Sequence, residues 1–201
     1  MNEQQTHLDW SFGLKWLLSC AIGTAVFGMA AYGSMWEAAE AVSFDNELIG
    51  VAVAGTLFGA FFALGGTLGP GLLLRKLGIS PGRWIGYSVV VAALAMSLGV
   101  SLIFNQDFNM SEAVVSTLFI GLTFGLSLGL VQWWLLQRQG VSAAFWPLIT
   151  VVGYTLAFSI VVFFSGEGRE WIALSGMSLL LGAITGLGMM WLLRQETAVV
   201  T

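Results

Sequence analysis

The sequence predicts an all-α integral membrane protein with six transmembrane helices, arranged as three related helical hairpins. Composition predicts the membrane class, because 57% of the 201 residues are hydrophobic and only 9% are charged. A soluble domain of this length carries roughly a quarter charged residues. A weak internal repeat, described below, predicts the hairpins. We expect one six-helix transmembrane domain over residues 1–201.

Six stretches are long and apolar enough to cross a bilayer, which needs roughly 20 residues of helix. They cover about residues 12–35, 48–74, 84–104, 113–136, 146–164 and 171–193. The segment before the first stretch has no Lys or Arg, whereas a signal peptide begins with a basic region. We therefore expect the first stretch to be a retained helix. Pro70, set between two glycines, predicts a kink or an early end in the second helix.

The basic residues predict the orientation of the spans. If the N-terminus is inside, six of the seven basic residues fall in inside segments and only Arg169 lies outside. The positive-inside rule then places both termini in the cytoplasm. We expect the protein to lie in the inner membrane of the cell. Most tryptophans fall near the inner interface, where they predict an aromatic belt. These are Trp10, Trp16, Trp84, Trp133, Trp134, Trp146 and Trp191, with Trp36 and Trp171 on the outer side.

An internal repeat relates the spans to one another. A shift of 62 residues lays 73–84 over 135–146 without a gap, and Gly78 then matches Gly140. A shift of 57 lays the sixth span over the fourth, with two glycines and a tryptophan in register. The first span supplies the missing half of the third unit, since a tryptophan and a glycine have the same spacing there as in the fifth. The spans therefore pair as two–three, four–five and six–one.

Glycines recur four residues apart on the even-numbered spans. The stripes contain Gly55, Gly59, Gly121, Gly125, Gly129, Gly182 and Gly186. Helices in a membrane associate through close packing, and small residues let two backbones approach. We predict that the three even-numbered helices meet along these stripes at a central pseudo-threefold axis. The alternative is that one stripe faces outward and docks a partner.

Residues 129–137, GLVQWWLLQ, resemble a repeated pattern, G-L-x-Q-W-x-x-L-R, of uncharacterised bacterial six-span membrane proteins. The Arg position of the pattern is filled by Arg75 and Arg194, with Gln137 in the middle copy. Its Gln occurs only as Gln132. The resemblance covers nearly the whole chain and implies the six-span architecture. It brings no established activity with it.

Several classes of function lack their usual residues in this sequence. The spans contain no internal Asp, Glu, His or Arg, and their only Lys is Lys15, at an edge. Proton relays and ion paths usually depend on such groups. The one histidine, His7, lies in the leading tail, so a nucleophile within the spans has no base beside it and we expect no enzyme. The net charge of -4 argues against nucleic acid, and the single Cys20 against a cysteine-ligated metal.

Four residues are candidates for ligand or lipid contact. Gln132 is either a ligand contact or a hydrogen-bonding partner of a neighbouring helix or lipid headgroup. Tyr154, like Tyr87, either lines a pocket or bonds between helices. Arg75 and Arg194 are possible lipid contacts, since basic residues beside a span attract anionic headgroups. No set of residues predicts a particular cofactor.

Two functions fit this chain. The first is a non-catalytic accessory or assembly subunit that packs against partner membrane proteins, or against itself, in a larger complex. A glycine-rich bundle with almost no soluble mass favours it. The second is a module that binds or translocates a small neutral or apolar solute. Six spans in about 200 residues, with stripes of small residues, resemble the substrate-binding components of energy-coupling-factor vitamin transporters. Membrane lipids are expected partners in both cases.

Overall fold

The computed structural model describes residues 10–42, 47–103, 110–164 and 169–199. Six α-helices follow one another along the chain: α1 Trp10–Val42, α2 Glu47–Leu74, α3 Pro81–Ile103, α4 Met110–Gln137, α5 Trp146–Phe164 and α6 Glu170–Val199. A short 3-10 helix, Arg75–Leu77, follows α2. Every element in these four ranges is helical, which confirms the predicted all-α class for the described residues.

The helices have the length and composition of membrane spans. Five of them are long and apolar enough to cross a bilayer, and α5 adds a shorter apolar stretch, Trp146–Val161. Large apolar side chains such as Leu98, Leu122 and Leu187 are exposed on the outside of the bundle. A soluble protein rarely exposes so much contiguous apolar surface, whereas a surface that faces lipid is expected to be apolar.

Several helix ends differ from the predicted spans, and Pro70 does not end its helix. Helix α1 continues past residue 35 to Val42, because the Ala and Glu residues there favour helix. Helix α2 ends at Leu74, where the predicted span ends, and it continues through Pro70, so the early end that Pro70 was expected to favour does not occur. Proline is tolerated in membrane helices where neighbours satisfy the freed backbone groups, and Pro70 is buried among them. Helix α3 begins at Pro81, whose fixed φ suits a first helical position.

The helices form a closed ring in chain order. Each packs against the next, and α6 returns to pack against α1. The approach between α1 and α2 is very close at Gly23 and Gly65, where a Cβ added to either glycine would collide with the backbone of the other. The ring therefore depends also on glycines outside the predicted stripes.

The glycine stripes lie between neighbours in this ring. A Cβ added to Gly125 of α4 would lie 2.8 Å from the Val151 Cα of α5, too close for a real contact. The other predicted glycines meet a neighbour in the same way: Gly121 and Gly129 face α5, Gly55 and Gly59 face α3, and Gly182 and Gly186 face α1. The backbones of the even-numbered helices do not lie side by side among the described residues. Their side chains meet in the centre of the bundle, as Phe62 and Phe124 do with ring centroids 6.0 Å apart. The prediction that these helices meet along the stripes is wrong, because each stripe receives an odd-numbered helix instead.

Two turns at one end of the bundle share a conformation. The Gly78 N–H donates to the Arg75 carbonyl at 3.1 Å, and the Gly140 N–H donates to the Gln137 carbonyl at 3.0 Å. Both glycines have left-handed φ values, 80° and 82°, as is common where a helix ends in a turn. We call this the turn end of the bundle. The two glycines that the repeat aligns thus adopt the same backbone geometry.

The interior has two layers of large side chains. The tryptophan layer lies at the turn end and consists of Trp16, Trp84 and Trp146, whose ring centroids are 6.3 Å (Trp16–Trp146) and 6.4 Å (Trp84–Trp146) apart. The second layer is built around Phe62, Phe124, Tyr154 and Phe158. Neighbouring rings there meet at distances such as 4.9 Å between Phe124 and Tyr154. Large aromatic side chains, rather than glycine stripes, therefore occupy the centre of the bundle.

The tryptophan layer corrects the predicted aromatic belt. Trp16, Trp84 and Trp146 are only 1–2% exposed, so these three belong to the interior. Exposed tryptophans consistent with an interface are Trp10, Trp134, Trp171 and Trp191. Trp133 is half-buried, and the side chain of Trp36 lies outside the described part of the structure. The sequence does not distinguish interior from interfacial tryptophans. Helices that are apolar all round have no polar face that would show how each helix is rotated about its axis.

Candidate functional site

A small cavity lies inside the bundle and borders both layers. Its volume is about 20 Å³, which gives room for about one water molecule. We call it the chamber. The side chains and glycine around it are Trp16, Cys20, Gly66, Thr67, Pro70, Trp84, Gln132, Trp146, Thr150, Tyr154, Leu181 and Thr185. All six helices contribute to this wall. Tyr87 and the two candidate arginines do not line it.

Gln132 joins three helices at the chamber. Its Nε2 donates to the Ser88 hydroxyl of α3 at 3.0 Å, and its Oε1 accepts from Trp146 Nε1 of α5 at 2.9 Å. The residue is 4% exposed, and a buried amide needs such partners to offset its lost hydration. Of the alternatives for Gln132, the bond to neighbouring helices is present, and contact with a headgroup is incompatible with its burial.

Trp84 carries a donor that the protein does not use. In the same layer, Trp16 Nε1 donates to the Thr185 hydroxyl at 3.2 Å, and Trp146 donates to Gln132. Trp84 is 1% exposed, yet its Nε1–H has no acceptor among the described residues. A buried N–H left without a partner costs on the order of 1–3 kcal/mol. One indole N–H at the chamber wall is therefore available to a bound oxygen atom.

A small polar side chain follows each interior tryptophan by one helical turn. The pairs are Trp16 with Cys20, Trp84 with Ser88, and Trp146 with Thr150. All three small residues are buried. The Thr150 hydroxyl donates to the Trp146 carbonyl at 3.0 Å, and Cys20 Sγ lies 4.0 Å from the Thr24 hydroxyl. This pattern was not predicted from the sequence. The alignment of the three tryptophans by the repeat is the signal from which it could have been found.

The two candidate tyrosines have different surroundings. Tyr154 is 4% exposed and lines the chamber, so of its two interpretations the pocket wall is the one observed. Tyr87 lies on the outside of α3, where its ring meets that of Trp134 edge-on at 5.7 Å. Gln132 and Tyr154 are thus brought together, and Tyr87 is separate from them.

The candidate arginines lie at the surface. Arg75 is exposed in the 3-10 helix after α2. Arg194 is exposed near the end of α6, with its guanidinium carbon 5.9 Å from the centre of the Trp10 ring. Neither lines the chamber, so the structure does not join them to Gln132 and Tyr154.

The polar groups around the chamber are amide, hydroxyl, indole and thiol groups. They supply hydrogen-bond donors and acceptors but no charge that would stabilise an ion in an apolar interior. In the parts of the chain that the structure describes, no three His, Cys, Asp or Glu side chains come together. His7 lies outside those parts. The arrangement can bind a small neutral molecule through hydrogen bonds.

No protein-family model, curated protein or solved structure matches this chain. The grounds for a function therefore lie in the chamber and in the packing around it.

Proposed function

We propose that this protein is a non-catalytic membrane protein that binds a small neutral molecule in the chamber. Of the two predicted functions, this is the solute-binding module. The observation that carries it is the buried Trp84 N–H without an acceptor, in a wall where the indoles of Trp16 and Trp146 and the Gln132 amide are held by hydrogen bonds. Such a preorganised donor favours a ligand that presents an oxygen or nitrogen acceptor.

The chemistry of the wall limits the ligand. An ion inside a bilayer needs counter-charges or many dipoles, and the chamber wall offers only neutral groups. The volume of about 20 Å³ admits about one water molecule. A ligand larger than water requires the tryptophan layer to move. We therefore assign the chamber to water and, with movement of the tryptophan layer, to a small amide or alcohol.

We also propose the finer architecture of the bundle. Three hairpins pair α2 with α3, α4 with α5 and α6 with α1, and each glycine stripe lies within one of these pairs. The matching turns at Gly78 and Gly140 support the repeat. Four basic residues at the turn end, Arg75, Lys76, Arg83 and Arg138, favour placing that end and both termini in the cytoplasm. The membrane would then be the inner membrane of the cell.

The accessory-subunit function remains a second proposal. Its basis is now the near absence of soluble mass, since the glycine stripes contact helices of the same chain and are not free to dock a partner. A defined complex with partner membrane proteins at fixed stoichiometry, isolated from the native membrane, would support this function over solute binding.

The test of solute binding is a purification in mild detergent followed by mass spectrometry of everything retained. We expect a single chain whose melting temperature rises with acetamide. In the Trp84→Phe variant this rise should be lost, because the donor is gone. Trp133→Phe is the matched control, since Trp133 Nε1 is also buried without an acceptor but does not line the chamber. Equal responses of the wild type and both variants would contradict the proposal.

A further inference from the structure

We propose that a groove on the outside of the bundle binds the phosphate group of an anionic phospholipid. The groove lies at the turn end, between the start of α3 and the end of α4, and has a volume of about 380 Å³. We call it the arginine groove. Its polar and aromatic wall is formed by Ser80, Arg83, Tyr87, Trp134, Arg138 and Gln139. It is separate from the chamber, so this proposal does not depend on solute binding.

The charge of the groove fits a phosphate. Two arginines line it, and none of the described residues in its wall is acidic. Guanidinium groups bind phosphate oxygens through paired charge-assisted hydrogen bonds. The Arg138 guanidinium carbon lies 3.9 Å from the centre of the Trp134 ring, and this stacking holds the group in place before a ligand arrives. Ser80 and Gln139 add neutral donors at the rim.

The surface beside the groove fits the rest of a lipid. Tyr87 and Trp134, which flank the groove, are partly exposed, and such aromatic residues favour the headgroup level of a membrane. Further along the same helix faces come exposed apolar residues: Val90 and Leu94 on α3, and Leu130 and Leu126 on α4. A headgroup in the groove would lay its acyl chain over this apolar strip. A free phosphate ion would leave the strip unused.

The corresponding junction between α5 and α6 shows that packing does not need Arg83. The predicted repeat aligns Phe145 with Arg83 and Trp191 with Trp134. Phe145 and Trp191 meet edge-on with centroids 5.7 Å apart, as Tyr87 and Trp134 do at the first junction. An uncharged phenyl ring thus occupies the place of a guanidinium. Packing at such a junction therefore does not require an arginine at position 83, and the Arg83 guanidinium is available to a ligand.

The experiment measures phospholipid binding to the purified full chain by native mass spectrometry in a neutral detergent. The probes are phosphatidylglycerol and phosphatidylcholine, and the test variant is Arg83→Gln with Arg138→Gln. The charge-matched control is Arg75→Gln with Lys76→Gln, which removes two exposed cations at the same end but outside the groove. We expect the groove pair to weaken phosphatidylglycerol binding by about a hundredfold, roughly tenfold per arginine. The control pair should lose only the few-fold effect of lost surface charge.

Two results would overturn the proposal. Equal losses in the two double variants would mean that surface charge alone attracts the lipid. Displacement of phosphatidylglycerol from the wild type by an equal concentration of inorganic phosphate would mean that the groove takes the free ion rather than a lipid. Unchanged melting temperatures in phosphatidylcholine establish that the variants are folded. If the double variant does not fold, each single arginine variant carries the same test with an expected loss of about tenfold.

Discussion

Gln132 connects α3, α4 and α5 through the two ends of one amide. Its Nε2 donates to Ser88 and its Oε1 accepts from Trp146, so both ends of the side chain are used inside an apolar layer. Hydrogen bonds between membrane helices contribute about 0.6 kcal/mol on average. Removal of the amide should cost more than this average, because two buried partners lose their bonds at once.

We predict that Gln132→Leu lowers the free energy of unfolding by about 1 kcal/mol. For a chain of this size that corresponds to a fall in melting temperature of about 2–4 °C. Gln137→Leu is the control, since Gln137 is exposed on the same helix and should change stability by less than about 0.5 kcal/mol. Thermal unfolding in detergent compares them. Identical melting temperatures for the two variants would show that the amide bridge contributes nothing.

At the residue scale, the sequence identified polar candidates but not their surroundings. Gln132 was conspicuous because it is a polar residue near an apolar span. Its partners come from α3 and α5, 44 and 14 residues away in the chain, and periodicity contains no information on such pairs. Trp84 was misplaced in an interfacial belt for the same reason. An indole suits both an interface and an interior, and only the rotation of α3 decides between them.

At the scale of the helices, the glycine stripes set the distance between neighbours. The Cβ that alanine would add at Gly125 lies 2.8 Å from the Val151 Cα, so the backbones of α4 and α5 would have to separate. Gly86 on α3 is exposed and has no atom within 4 Å of an added Cβ. The two glycines therefore differ in packing but share a helical backbone.

We predict opposite effects for the same substitution at these two positions. Gly125→Ala should lower the free energy of unfolding by about 1–3 kcal/mol, because the helices are forced apart. Gly86→Ala should leave stability unchanged or raise it by up to about 1 kcal/mol, because alanine favours helix. Thermal unfolding of both variants measures the difference. A Gly125→Ala variant as stable as Gly86→Ala would refute the close contact between α4 and α5.

A period of four residues predicts only part of how a helix packs. Gly121, Gly125 and Gly129 fall on one face of a helix in any arrangement, so their common role in packing was foreseeable. The sequence did not predict which helix the three glycines face. Helices with apolar side chains all round have no hydrophobic face that points toward a core. The stripes were therefore predicted to face the central axis, whereas they face the next helix in the ring.

At the scale of the whole molecule, chain order and ring order coincide. Short connections predict that consecutive helices are neighbours, and each described helix packs against the next. The predicted pairing of the sixth and first spans required α6 to meet α1, and these helices do pack together. What fills the ring was not foreseen, since the tryptophan layer and the chamber arise only when residues from separate helices converge.

The contact between α6 and α1 closes the ring around the chamber, and one measurement tests it directly. A Cβ built on Gly182 lies 3.4 Å from the Cys20 Cβ and 2.9 Å from the Leu17 carbonyl oxygen. A small shift of α6 away from α1 relieves the second contact and brings the two Cβ atoms to the separation of about 3.5–4.5 Å found in a disulfide. Cys20 is the single cysteine of the chain. We predict that Gly182→Cys, purified and oxidised with copper phenanthroline, forms a disulfide that mass spectrometry of the unreduced peptides assigns to positions 20 and 182.

The control for this measurement is Gly86→Cys, which places a thiol on the exposed side of α3 and should leave Cys20 unpaired within the chain. A disulfide in the Gly182→Cys variant and none in the Gly86→Cys variant means that α6 lies against α1 and that the ring is closed. A folded Gly182→Cys variant with both thiols free after oxidation would contradict the closed ring, and with it the chamber that the ring encloses.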